Sequence, residues 1–142
     1  MIEAEPISGT DLGLRETLVA ANLPVSDLDG EGRLFFRFAD DGAIVAYGGL
    51  EPYGDVALLR SVVVTGSLRG TGKGRRVTER LIELARGLGV TDLYLLTETA
   101  EHFFAHLGFR HIARSEAPPS ILATEQAASI CTSAAMLTRS TG

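Results

Sequence analysis

The sequence predicts an α+β fold on a mixed sheet, a mixed α/β sandwich, with one domain over residues 1–142. Three observations carry this. The first half alternates short apolar runs with turn residues, the pattern of an antiparallel meander. A strand, a glycine-rich stretch, an amphipathic helix and a second strand follow, which is a βαβ unit. The tail then returns to short elements and closes on a strand. A length of 142 residues matches one domain, since domains run roughly 100–200 residues. With 45% hydrophobic and 22% charged residues, disorder as the dominant state is excluded.

Ile2 to Ile7 alternates as a first strand. Thr10 to Ala21 places Leu14, Leu18 and Ala21 at helical spacing, with Thr10 or Asp11 as the cap. Residues 22–32 are polar, with a proline and two glycines, and read as a loop. Leu34 to Phe38 is a strand, and Asp40-Asp41-Gly42 is a hairpin turn because Asp-Gly tolerates positive φ. Ala43 to Glu51 is its partner, Pro52 to Asp55 a second turn, and Val56 to Val64 the most apolar strand. Thr65 to Gly74 is glycine-rich. Val77, Leu81, Leu84 and Leu88 then recur at helical spacing until Gly87 and Gly89. Leu93 to Thr97 is a strand, Thr99 to Leu107 a helix closed by Gly108, and Phe109 to Ala113 a strand. Ile121 to Ile130 reads as helix after Pro118-Pro119, and Thr132 to Arg139 as the last strand.

Several functions are excluded or disfavoured. No apolar stretch approaches the roughly 20 residues a membrane span needs. Met1 to Glu5 has no basic segment followed by an apolar one, so the expected location is cytoplasmic. A net charge of -5 argues against a nucleic-acid partner. The single cysteine, Cys131, rules out an internal disulfide framework and multi-cysteine zinc sites. Histidines 102, 106 and 111 leave little for metal chemistry, so no metal is expected. His102 and His106 lie four apart and suit an exposed helix face.

The stretch Gly70-Thr71-Gly72-Lys73-Gly74-Arg75 joins a strand to a helix. Backbone amides without side chains can approach a ligand closely, and a helix start adds unpaired N–H groups and partial positive charge. Together these suit a phosphate or pyrophosphate. Lys73, Arg75 and Arg76 crowd a first turn that the dipole would rather fill with acids, a conflict that a bound polyanion would relieve. A P-loop fails, because Ser67 stands at the first glycine position and Gly74 at the Ser/Thr position. A dinucleotide fingerprint fails, because Arg75 or Val77 stands at its third glycine.

The spacing Arg69-x-x-Gly72-x-Gly74 resembles the (Gln/Arg)-x-x-Gly-x-(Gly/Ala) signature of the GNAT superfamily of acyl-CoA-dependent N-acetyltransferases. Val62 to Val64 resembles the strand before it. Ala100, Phe104, Gly108 and Phe109 match the family's Ala-x-x-x-Tyr-x-x-x-Gly-Phe segment except at Phe104. The likeness covers Leu59 to Phe109. A finer resemblance is to the arsenic-resistance-associated branch, carried by Leu59 to Val62, Leu93 to Thr97, Phe103-Phe104 and the tail from Ala117 to Ala134.

The resemblance implies a sheet splayed between its fourth and fifth strands. It implies acetyl-CoA in the gap as cosubstrate, its pyrophosphate on Gly70 to Arg75, and a small-molecule amine as acceptor. Cofactor contacts are then expected from Val62, Val64, Arg69, Gly70, Thr71, Gly72, Lys73, Gly74, Arg75, Thr97 and Phe104. A backbone N–H where Val62 to Val64 splays away would polarise the thioester carbonyl. Two departures matter. Phe104 replaces the frequent tyrosine and cannot donate a proton; Tyr47, Tyr53 or Tyr94 are the candidate substitutes. Thr97 replaces a frequent asparagine. No residue reads as an acyl-accepting nucleophile, so transfer is expected to be direct.

Glu51 ends a strand on the acceptor side and is the candidate general base, or a solvated strand-end carboxylate. Glu98 is a weaker candidate. Arg60 lies within an apolar strand and needs a partner. It binds a substrate carboxylate or pairs with Glu51. Ser61, beside it, is a second catalytic candidate or merely a small strand residue. Cys131 reads as a buried, inert thiol. A homodimer stays open. The rival readings are a silent acyl-CoA-binding or sensor protein and an arsenical-binding accessory protein.

Overall fold

The computed structural model describes residues 1–66 and 70–142. A seven-stranded sheet runs in the order β1-β2-β3-β4-β5-β7-β6, where β1 is Ile2–Ile7, β2 Leu34–Asp40, β3 Ala43–Tyr53, β4 Val56–Val64, β5 Asp92–Thr97, β6 Arg110–Ile112 and β7 Ala135–Ser140. The first four strands are antiparallel neighbours. β4 and β5 are parallel, and β7 runs antiparallel to both β5 and β6. The expected mixed sheet is what forms.

Helix α1 is Leu12–Ala20, and Asp11, rather than Thr10, caps it by accepting from the Leu14 amide at 3.0 Å. Helix α2 is Lys73–Gly87 and buries Val77, Leu81, Ile82 and Ala85 against the sheet. Gly48 of β3 makes room for that helix: a Cβ there would stand 2.6 Å from Leu81 Cδ1, and the leucine would have to shift. The β2–β3 hairpin turns at Asp41 and Gly42, with φ of 52° and 83°, the paired positive φ of a type I′ turn.

Three apolar clusters fill the fold. The largest lies under α2 and includes Phe38, Leu59, Leu93 and Phe104. A second lies under α1, around Leu14, Leu18, Phe35 and Tyr47. A third gathers Leu58, Ile112, Ile121 and Met136.

The tail departs from expectation. Helix α3 is short, Glu101–Ala105, and the anticipated helix from Ile121 splits. Helix α4 spans Pro119–Leu122, and a π-turn spans Gln126–Ile130. Thr124 marks the break: its hydroxyl donates to the Ile121 carbonyl at 2.7 Å and accepts from the Ala127 amide at 3.2 Å. Arg114 then closes the segment, donating to the carbonyls of Ala127, Cys131 and Ala134. No described helix is long and apolar enough to cross a membrane.

Candidate active site

β4 and β5 are paired only from Val56 to Leu58, opposite Asp92 to Tyr94. Beyond that the two strands carry no register with each other, and a gap opens between Leu59–Val64 and Leu95–Thr97. At the same height β4 bulges. Tyr47 faces Val63 and Gly49 faces Arg60, so Ser61 and Val62 together oppose Gly48. Ser61 sits at φ 57°, a left-handed conformation that costs an L-residue roughly 1–2 kcal/mol. Val62 and Val64 lie partly buried along this stretch.

The glycine loop reaches the same place. Gly70 and Gly72 have φ of 81° and 82°, with open space where a Cβ would stand. Gly72 is the N-cap of α2 and brings no side-chain oxygen to cover the first amides, those of Lys73, Gly74 and Arg75. Gly74 is close-fitted: an added Cβ would lie 3.3 Å from the Phe103 ring and 3.4 Å from Val64 Cγ2. The start of α2, the end of β4 and α3 therefore converge. Thr71 lies exposed in the turn. Arg69 lies outside the described residues.

The basic cluster is arranged differently from expectation. Lys73 Nζ donates to Asp40 at the end of β2, and Arg76 joins it at 3.2 Å. The Lys73 hydrogen bond first, and then that of the Met1 ammonium, hold the Asp40 carboxyl well below the usual carboxylate range. An acid from a neighbouring strand thus relieves much of the charge conflict of the first turn. Arg75 remains exposed, 3.9 Å from Glu79.

Phe104 is 8% exposed and makes T-shaped contacts with Phe103 and Phe109, at 5.0 and 5.6 Å between centroids. It is mainly a core residue. Phe103, 40% exposed, borders the loop instead. Thr97 accepts from the Ala100 amide at 2.9 Å and so fastens the start of α3.

The opposite face of the sheet carries a buried ionic cluster. Arg60 donates to both Asp27 oxygens at 2.7 Å and to Glu51 Oε1 at 3.0 Å. Its Nε reaches Ser61 Oγ at 3.3 Å, and its guanidinium lies 5.4 Å from the centre of the Phe35 ring. Glu51 also accepts from Arg33 Nε at 3.3 Å and from the Tyr53 hydroxyl. Three donors thus take most of the roughly four acceptor positions of its carboxylate. The Arg60 and Asp27 side chains have no exposed surface and Glu51 has 2%. This geometry fulfils the Arg60–Glu51 pairing and leaves Arg60 no open face for a substrate carboxylate. Glu51 is not a solvated strand end.

The tyrosines are engaged elsewhere. Tyr47 is buried under α1, and burial raises its phenol above the ordinary value. Burial, and then the bond to Glu51, push Tyr53 up to about 12. Tyr94 packs in the third cluster. Cys131 is half-buried, and burial pushes its thiol up. Among the described residues, no three His, Cys, Asp or Glu side chains form a group that could hold a metal. The sequence reading missed Asp27 and Arg33. They sit in or beside a polar loop where charged residues are ordinary, and no spacing pattern marks them.

The Acetyltransferase (GNAT) family model matches residues 6–109. The chain belongs to the GNAT acetyltransferase family. The splayed sheet and the glycine loop at the start of α2 lie within the matched region. The mouse N-alpha-acetyltransferase 80 is 45% identical over 53 residues, 37% of this chain and 17% of that protein. An amino-acid acetyltransferase of Pseudomonas paraeruginosa is 36% identical over 85 residues, 58% of this chain and 20% of that protein. The matched stretches are thus a fifth or less of those relatives. Among solved structures, N-acetylglutamate synthase from Neisseria gonorrhoeae, complexed with coenzyme A and N-acetyl-glutamate, aligns at a TM-score of 0.78 and 18% identity. The alignment covers 100% of this chain and 35% of that one. A GNAT acetyltransferase from Staphylococcus aureus aligns at 0.72 and 17% identity, with full coverage of both chains. These structures share the fold.

Proposed function

We propose that this GNAT chain transfers the acetyl group of acetyl-CoA to the amino group of a small molecule, an amino acid or a compound like one. The observation that carries this is the coincidence of three features at one place: the β4–β5 gap, the bulge at Ser61–Val62, and the uncapped start of α2. The residues present fit acetyl-CoA. The amides of Lys73, Gly74 and Arg75 offer donors and a helix N-terminus to a pyrophosphate, with Arg75 as a flanking cation. The open sides of Gly70 and Gly72 leave room for it. Val62, Val64 and Phe103 line the approach, and Thr97 and Phe104 hold α3 against it.

The β4 backbone at the bulge presents an N–H to the thioester carbonyl, where negative charge develops as the amine attacks. The carbon–nitrogen bond forms and the carbon–sulfur bond breaks. A leaving thiolate with a pKa near 8.5, by analogy with cysteine, needs little help from an acid. That is compatible with phenylalanine at position 104. We assign Glu51 and Arg60 to holding the site's floor; the acceptor amine arrives neutral or loses its first proton to water, and the proton released as the amide forms passes to water or to the leaving thiolate.

The amino-acid acceptor is supported by the amino-acid acetyltransferases among the relatives. The likeness to the arsenic-resistance branch adds amino-acid-like arsenicals to the same class. The test is thiol release from acetyl-CoA against a panel of amino acids and such analogues. Release with at least one amine is expected. CoA binding without release for any amine would return the silent acyl-CoA-binding reading.

A further inference from the structure

We infer that Asp27 is a positioning residue for acetyl transfer: by gripping Arg60 it holds the β4 bulge at Ser61 and Val62 in the shape that presents a backbone amide to the reacting carbonyl. The inference rests on the acetyl-transfer reading.

The bulge needs a holder. Ser61 occupies a left-handed conformation with no glycine to relieve it, and such a residue persists only where its surroundings over-determine it. The residue before it supplies that constraint. A guanidinium is a planar fork, and this one is pinned at three points. Asp27 accepts from both terminal nitrogens, Glu51 from one of them, and Ser61 Oγ lies 3.3 Å from Nε. With the Phe35 ring 5.4 Å from the guanidinium carbon, the fork has little freedom to turn. Its stem fixes residue 60, and its Nε fixes the side chain of residue 61. Asp27 comes from the connection between α1 and β2, 33 residues away, so the grip also ties that connection to the splayed strand.

Energetics point the same way. A fully buried ion pair rarely stabilises a fold more than apolar side chains of similar volume would. No buried side-chain polar atom among the described residues lacks a partner, so the cluster is complete and its orientation is defined. What a bidentate pair adds over a leucine and a methionine is direction, and the thing it directs is the bulge.

The test compares the full chain with Asp27→Asn, Arg60→Lys, and the double variant Asp27→Leu with Arg60→Met. The readouts are kcat, KM for acetyl-CoA, CoA affinity, thermal midpoint, and the carbonyl resonance of carbonyl-¹³C acetonyl-CoA, a ketone analogue of acetyl-CoA. Loss of the grip is expected to lower kcat about 10- to 100-fold, the scale of a misplaced catalytic group, with CoA affinity unchanged. The double variant removes the charges of the Asp27–Arg60 pair, leaves Glu51 to Arg33 and the Tyr53 hydroxyl, and is expected to fold at a midpoint at or above that of Arg60→Met alone while kcat stays low. Its bound-analogue resonance should move back toward that of the free analogue. Arg60→Lys, which keeps the charge but loses the fork, covers the case in which a variant fails to fold and should also lose kcat. A double variant that folds with wild-type kcat, or an unmoved carbonyl resonance, would overturn the inference. A wild-type chain that neither shifts the bound carbonyl nor releases thiol would overturn the acetyl-transfer reading beneath it.

Discussion

Arg60 and Asp27 meet through two hydrogen bonds of 2.7 Å with both side chains wholly buried. One of the same two terminal nitrogens of Arg60 also donates to Glu51 at 3.0 Å. The bulge of β4 is therefore preceded by an arginine held between two carboxylates, directly before the left-handed Ser61.

Breaking this cluster from one side should cost stability. Arg60→Met leaves Asp27 buried opposite an apolar side chain, and removal of one partner of a buried pair costs about 3–5 kcal/mol. Urea denaturation should show that loss as a lower midpoint. Glu51→Gln should cost about 1–3 kcal/mol, because shape is kept while a charged acceptor is lost. If Glu51 were instead the base, Glu51→Gln would lower turnover by roughly 10²–10⁴ at unchanged stability. The midpoint and the rate, measured on one preparation, separate the two roles.

The glycine loop makes a second prediction. Gly72→Asp adds a negative charge at the cap of α2 and the strain of a side chain at φ 82°, about 1–2 kcal/mol. Nothing lies within 4 Å of the new Cβ, so the fold should survive. CoA affinity by calorimetry should drop about tenfold or more, because the charge opposes the anion the helix start would hold. Gly54→Asp, at φ 70° in equally open space, carries the same kind of strain away from the site and should leave CoA affinity alone. Equal effects of the two substitutions would remove the loop from the CoA site.

The adjacent phenylalanines should separate. Phe104→Ala opens the core and should cost about 3–5 kcal/mol. Phe103→Ala removes an exposed ring beside Gly74 and should weaken CoA binding with little loss of stability. A Phe103→Ala variant with wild-type CoA affinity would show that the ring only covers the helix.

Much of this was open to sequence reasoning, for identifiable reasons. The Val56–Val64 strand shows itself as an apolar run interrupted only by Arg60 and Ser61. α2 shows itself through helical spacing after glycines, and both elements are bounded by local turn chemistry. The ionic cluster is different in kind. Asp27 and Arg60 are 33 residues apart, and nothing local distinguishes an aspartate in a polar loop from one that will be buried. Ser61 has no mark of its positive φ, because glycine, the usual signal, is absent. Phe103 and Phe104 are neighbours on a five-residue helix, too short for periodicity to decide which faces the core. Lys73 at the start of α2 reaches Asp40 at the end of β2, 33 residues away, a contact that only the packing of helix on sheet reveals.

Tyr53 offers a spectroscopic check on the cluster. Burial and the hydrogen bond to Glu51 both favour its neutral phenol, which is pushed up to about 12. Ultraviolet titration of the folded protein should therefore show a tyrosine still protonated above pH 10, near which an unperturbed phenol ionises. Tyr53→Phe should remove one late-titrating phenol and leave that of Tyr47, which burial also raises. The sign is that of a raised acid: the stabilisation is complete below the unfolded pKa and is lost as pH rises toward 12. A Tyr53→Phe variant with an unchanged late titration would show that Tyr53 does not donate to Glu51.

The most direct measurement of the acetyl-transfer account follows acetyl-CoA and an amino-acid acceptor in one reaction by mass spectrometry of both product and protein. The account predicts an N-acetylated amine formed one for one with released CoA, no acetyl group on the protein at any time, and intersecting initial-velocity lines, as direct transfer requires. Acetyl-CoA that binds but yields no N-acetyl product from any amine, or a protein that itself becomes acetylated on the path to product, would contradict it.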